Sequence, residues 1–277
     1  MAIAQLSSPR SGTSVQGKTP AAQRGPRRYE HVLLGLLGLG AVFGGWQLFT
    51  SLGIVDPTFA SSPIGLFGAL VDYIRSGAIW APLSSTLSTV AWGIGISLVV
   101  GIPLGLIIGR SRILHGLTEP LISIMYSVPY VVFLPIIIFW FGIDQQARIV
   151  IVIWSSIFPL LINVVAGSRN LDLSYLHVAQ VYCASRFLTL RAVALPATSP
   201  YILAGVRQAV GRGLVGAIVA ELFMGSAGMG YLVQKQTSNF QMDEAMAAIA
   251  VIAVVAITLT RAVAYFERRF TSWSTST

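Results

Sequence analysis

The sequence predicts an all-α integral membrane protein of about six transmembrane helices, and three observations predict it. Of its 277 residues 55% are apolar and only 10% are charged, with a mean hydropathy of +0.75, which is too apolar for a water-soluble domain of this size. The apolar residues gather into runs near the roughly 20 residues that cross hydrocarbon. The basic residues behind a net charge of +8 sit between those runs and form no stripe interleaved with aromatics, so they speak for topology and against nucleic acid.

Residues 1–29 are rich in Ser, Gly, Gln, Pro and Arg and lack the large apolar residues of a core, which predicts a disordered basic tail. Within it Gly12-Thr13-Ser14-Val15-Gln16-Gly17-Lys18-Thr19 satisfies the literal phosphate-loop pattern. Such a loop needs a buried strand before it and a helix N-terminus after it. Met1 to Ser11 offer no strand, and Gly25-Pro26 follows too soon for a helix, so no nucleotide site is expected. Val32 to about Leu52 is the first span; its basic lead-in is much longer than that of a cleaved signal peptide.

The second run, 83–109, carries Gly93, Ser97, Gly101, Gly105 and Gly109. Small residues at intervals of four line one side of a helix and let another backbone approach closely, in this chain or in a second copy. The third and fourth runs, 117–141 and 148–166, contain Pro129, Pro135 and Pro159, which are expected to interrupt their helices. The stretch 167–196 is polar, the fifth run is 200–223, Gly225 to Tyr231 reads as a tight turn, and the sixth run is 245–266. The transmembrane domain is thus 30–270, followed by a short tail, 271–277.

A cytoplasmic N-terminus places Arg10, Lys18, Arg24, Arg27, Arg28, Arg110, Arg112, Arg169, Arg186, Arg191, Arg268 and Arg269 inside, against Arg75, Arg148 and Lys235 outside. The positive-inside rule favours that orientation, with both termini and the 167–196 segment in the cytoplasm. A single cysteine, Cys183, and three scattered histidines, His31, His115 and His177, supply neither a disulfide framework nor a metal-site spacing. His31 and His115 flank membrane segments and are expected at the interface.

Leu173 to Arg191 reads as one amphipathic helix, because Leu176, Ala179, Cys183, Phe187 and Leu190 recur at intervals of three or four. Periodicity alone leaves open a helix lying on the membrane surface with Arg186 and Arg191 toward anionic lipid. The frame His177-Val178-Ala179, then Cys183, then Val193-Ala194-Leu195-Pro196 resembles the cytoplasmic loop of ATP-binding-cassette (ABC) importer permeases. Those carry Glu-Ala-Ala, Gly and an aliphatic-x-Leu-Pro ending at the same spacing. Tyr201 to Gly205, Ala220-Glu221 and Gly228-Met229-Gly230-Tyr231 are similar to the nitrate, sulfonate and taurine branch, and the likeness covers roughly residues 60–270.

The resemblance implies a type I importer bundle in the bacterial inner membrane, moving a small anion such as a sulfonate, taurine, nitrate or bicarbonate. It implies two separate ATPase subunits that hold the ATP and Mg, a second permease copy, and a periplasmic or lipid-anchored solute-binding protein; this chain binds no cofactor and is not an enzyme. It nominates Leu176, His177, Ala179, Gln180, Cys183, Arg186, Phe187, Leu190, Leu195 and Pro196 for docking on the ATPase. His177 departs from the usual acidic residue, and Cys183 puts a side chain where the pattern has Gly, so apolar packing is expected to carry the contact.

Arg207, Arg212 and Glu221 lie inside the fifth run, and because charges inside spans face protein or water, all three are expected along a translocation pathway. Arg212 is about 18 Å beyond Pro200, near the middle of a hydrocarbon core about 30 Å thick, and Glu221 is too far along the same helix to pair with it. Two roles stay open for Arg212, an interhelical ion pair or a positive charge in an anion's path. An ion-coupled secondary transporter would show paired broken helices in two related halves, and a membrane enzyme would cluster its catalytic residues at one depth; the sequence has neither feature.

Overall fold

The computed structural model describes residues 28–53, 56, 59–171 and 181–271. Among these every regular element is helical, and the chain divides into two compact units, Met1–Gly45 and Trp46–Thr277. Helix α1, Arg28–Ser51, begins in the first unit. It exposes Leu33, Leu34, Leu36 and Leu37 alike, an all-round apolar surface suited to lipid.

In the second unit Ser62 starts α2, Pro63–Ser76, its Oγ accepting from the Gly65 N–H at 3.0 Å, and Gly77 ends it at φ 73°. Pro63 occupies the first turn, where a missing N–H costs nothing. Helix α3, Trp80–Arg110, is the long second span. Ser111 then caps α4, Arg112–Ser127, accepting from the Leu114 N–H at 3.2 Å. Val128 is extended (ψ 124°) ahead of Pro129, the conformation that a following proline favours.

That proline separates α4 from a 3₁₀ turn, Tyr130–Phe133, and from α5, Leu134–Phe141. The two arms meet at 87°, so the run read as one span at 117–141 is a broken one. Pro135 falls in the first turn of α5 and breaks nothing. Pro159 lies inside α6, Gln145–Arg169, which stays continuous around it, against the expectation of an interruption.

After Asn170 the described chain resumes at Val181 with α7, Arg186–Thr189, a π turn, Leu190–Ala194, and α8, Leu195–Met224. Gly225 closes α8 at φ 61°, then follow α9, Met229–Ser238, and α10, Met242–Thr271. Asp243 and Glu244 in the first turn of α10 and Arg268 and Arg269 in its last complement the helix dipole. Helices α2 and α9 fall outside the apolar runs because they are short and only half apolar. Together with α10 they enclose Tyr73, Ile79, Met229, Ala247 and Ala248, and Ser61 Oγ donates to Asp243 Oδ1 at 2.7 Å.

The core forms around α6, which packs on α3 and α8. Gly93, Ser97, Gly101, Gly105 and Gly109 of α3 face Val152, Ser156, Leu160, Val164 and Ser168 of α6. Each partner lies 59 positions further along the chain, so α3 and α6 run parallel and in register. Contact is backbone-close: a Cβ on Gly105 would stand 2.7 Å from Val164 Cβ, and one on Gly109 2.6 Å from Ser168 Cβ. In the second rung the Ser97 and Ser156 hydroxyls are 2.8 Å apart. The partner of the small-residue stripe is therefore a helix of this same chain. Gly205, Gly213 and Gly216 admit α8 against Leu160, Ile94 and Ser155 in the same way.

Candidate functional site

The three charges of the fifth run occupy three unlike environments. Arg207 pairs with Glu267 of α10, on a side where both remain partly exposed. That pair joins α8 to α10, so the interhelical ion pair left open for Arg212 is taken by its neighbour one and a half turns earlier.

Arg212 is exposed, and among the described residues no carboxylate forms an ion pair with it. Its Nη2 donates to the Tyr126 hydroxyl at 3.0 Å, and the guanidinium carbon is 5.0 Å from the centre of that ring. Tyr126 reaches it because α4 stops one residue later, at the 87° break. A cavity of about 500 Å³ opens beside the guanidinium, lined by Tyr130, Gln208, Gly211, Arg212 and Val215. A smaller recess adjoins it, formed by Tyr126, Trp154, Ser155, Phe158 and Pro159. Chemically this is a fixed cation flanked by a phenol and a carboxamide, with its counter-charge unfilled by the described residues. A small anion can supply it through charge-assisted hydrogen bonds.

Glu221 is different. Expected with the arginines along a pathway, it is instead wholly buried at the far end of α8. Thr86 of α3 donates to its carboxylate at 2.8 Å, the Gly230 N–H at the start of α9 donates at 2.9 Å, and Arg148 of α6 stands 3.8 Å away. Thr86 in turn accepts from the Met229 N–H at 2.8 Å, and Arg148 donates to the Ala227 carbonyl at 3.2 Å. Gly228 adopts φ 101°, and any Cβ there would run into the Glu221 carboxyl. The carboxylate thus caps α9 and ties α3, α6, α8 and α9 at one point. A buried carboxyl is tolerable there because both of its oxygens have a hydrogen-bond donor and Arg148 stands close by.

Of the nominated docking residues, Leu176, His177, Ala179 and Gln180 lie outside the described residues. The rest correct the expectation of one continuous helix. Tyr182 and Cys183 form a turn, and Cys183 takes φ 49°, a left-handed conformation that ends a helix. Ser185 then starts α7 afresh, its Oγ accepting from the Leu188 N–H at 3.2 Å and its carbonyl from the Thr189 N–H at 2.9 Å. Cys183 is therefore not on one stripe with Phe187 and Leu190. The Gly of the resembled pattern sits where φ is positive, so the departure to Cys is first a backbone matter and only second one of close packing. Arg186 and Phe187 open α7, and Leu190 opens the π turn. Leu195 and Pro196 begin α8 with exposed side chains, next to the fully buried Ala194.

The sequence assigned no site role to Tyr126, Tyr130 and Gln208 around Arg212, or to Arg148 and Thr86 around Glu221. Only Arg148 carried a signal: topology placed it on the same side as the Glu221 end of the fifth run.

Against this geometry stand the comparisons with known proteins. The family described as binding-protein-dependent transport system inner membrane component matches residues 101–272. The Escherichia coli K12 permease named SsuC, for aliphatic sulfonates transport, is 34% identical over 83% of this chain and 87% of its own length. The taurine transport system permease protein TauC of the same organism is 28% identical over 87% and 90%. The bicarbonate transport system permease protein CmpB of Synechococcus elongatus is 29% identical over 87% and 90%. Among solved structures, an inward-facing MetNI methionine ABC transporter chain superposes with a TM-score of 0.60 at 16% identity. It covers 68% of this chain and 93% of that one, which is a likeness of fold.

Proposed function

Because the chain belongs to the family of binding-protein-dependent transport system inner membrane components, we propose that it is the transmembrane permease subunit of an ABC importer for a small anion. The observation that carries the anion is Arg212, an exposed guanidinium beside a cavity of about 500 Å³ with no carboxylate partner among the described residues. It sits about 26 Å from one end of α8 and about 18 Å from the other, at a depth where an unneutralised charge in lipid is costly. Sulfonate, taurine and bicarbonate, which the relatives' names carry, and nitrate are all anions or zwitterions with an anionic head.

In this reading two permease copies face each other across the Arg212 cavity, and two ATPase subunits with their ATP and Mg dock on the 167–196 segment in the cytoplasm. A solute-binding protein delivers the anion from the opposite side. Both termini are cytoplasmic. The Glu221 knot holds the outer end rigid while the Tyr126 break lets α4 and α5 move against α8. ATP turnover by the partners drives alternation between the two openings, and Arg212 meets the anion only while its cavity is open to it.

The test is uptake into proteoliposomes holding the permease, its ATPase subunits and the binding protein, with labelled taurine, ethanesulfonate, nitrate and bicarbonate as probes. Uptake needs ATP and no ion gradient, Arg212→Gln abolishes it in a normally assembled complex, and Arg212→Lys retains part. Full uptake by Arg212→Gln, or uptake driven by an ion gradient without ATP, overturns the reading.

A further inference from the structure

The recess beside Arg212 has a neighbour along the same two helices. On α6 it is lined by Ser155 and Phe158, and further along the same face Ile162, Ala166 and Arg169 line a second cavity of about 420 Å³. On α4, which runs the opposite way, Tyr126 borders the first recess and His115 and Glu119 border the second cavity. The two spaces lie one after the other in the crevice between α4 and α6, which is about 21 Å long from Ser155 to Arg169. Its walls change along its length. Near Arg212 they are aromatic, then aliphatic, and at the Arg169 end polar, with Arg169 and Asn170 both exposed.

We propose that this crevice is the water-filled exit of the anion path, and that Arg169 and Asn170 at its mouth form a second anion-holding station. The proposal rests on the reading of Arg212 as the first station and on the orientation that puts Arg169 in the cytoplasm. Among the described residues the one carboxylate at the mouth, Glu119, is engaged by His115: its Oε2 lies 3.0 Å from His115 Nε2, one helical turn back. Arg169 has no carboxylate partner among the described residues, so an anion arriving there meets an uncompensated guanidinium and the Asn170 carboxamide. Two cations separated by an aliphatic stretch let an anion leave Arg212 without binding firmly at either, the condition for passage through a multi-site pore. A lipid tail would fill the aliphatic stretch equally well, and the test separates the two occupants.

The chain's single cysteine makes that test clean. In the assembled complex, Cys183→Gly removes the native thiol and Ala166→Cys places a new one on the crevice wall. From the cytoplasmic side the anionic probe 2-sulfonatoethyl methanethiosulfonate is compared with its trimethylammonium analogue, each relative to a free thiol. Both label residue 166, the sulfonate probe is favoured, and Arg169→Gln lowers that preference about tenfold. Glu119→Gln raises it. No labelling by either probe, or a preference that Arg169→Gln leaves unchanged, overturns the proposal. Labelling needs no transport, so a failed Arg212 assay with intact labelling strikes only the first station, and the reverse strikes only the exit.

Discussion

Replacing Gly105 with Ala tests the parallel α3–α6 ladder at a rung where the facing atom cannot move aside. The added Cβ would stand 2.7 Å from both Cβ and Cγ1 of Val164, where carbons normally rest at about 3.5–4.0 Å. Val164 Cβ is fixed to its backbone and cannot rotate away, so the helices must part by about 1 Å, at a cost of about 1–3 kcal/mol. Ala gains about 1 kcal/mol over Gly in a helix, leaving a net loss of up to about 2 kcal/mol. Gly95 on the same helix is the control, since nothing lies within 4 Å of a Cβ there and Gly95→Ala collects only the propensity gain. Gly101→Ala falls between them, because its closest neighbour at 2.8 Å is Leu160 Cδ2, the movable end of a side chain. The assay is heat denaturation of the detergent-solubilised protein followed by gel filtration. The order of stability should be Gly95→Ala, then Gly101→Ala, then Gly105→Ala. A Gly105→Ala protein as stable as Gly95→Ala would refute the register.

Two further expectations concern the Glu221 knot and the left-handed turn at Cys183. Glu221→Ala strands Arg148, itself 5% exposed, and should cost about 3–5 kcal/mol; adding Arg148→Met should recover part of that in the same heat assay, and a double variant no better than the single one counts against the pairing. Cys183→Gly should keep or raise ATP-coupled uptake, because Gly adopts φ near 49° without the penalty of about 1 kcal/mol that a Cβ brings, whereas Cys183→Val should lower it; equal uptake by both would show that the left-handed turn is not needed.

The spans and the stripe could be read from residues because each depends on one helix alone: length and apolarity for the first, a repeat of four for the second. Pro129 marked the break, but not its angle, which depends on how α5 packs Leu134 and Ile137 against Ala147, Ile151 and Ala220. Helices α2 and α9 escaped because neither carries a run that hydropathy recognises. The surroundings of Arg212 escaped for another reason. Tyr126 and Gln208 come to it from residues 86 positions upstream and one helical turn back, and only the first of those is a question of tertiary fold. The continuous docking helix was a fair inference from periodicity, defeated by one backbone angle at Cys183 that no side-chain pattern encodes.

The common direction of α3 and α6 also decides a matter of parity. Two parallel membrane helices enter from the same side, so the 34 or so residues between them must carry the chain all the way back. Residues 111–144 therefore cross the hydrocarbon despite the 87° bend, α4 covering the half beside Arg169 and α5 the half beside Ala147. A helix pair that hydropathy counts as doubtful is obliged to be a crossing by its neighbours. Its corner, where Tyr126 meets Arg212, is thereby held partway across the membrane, between two ends that face different solutions.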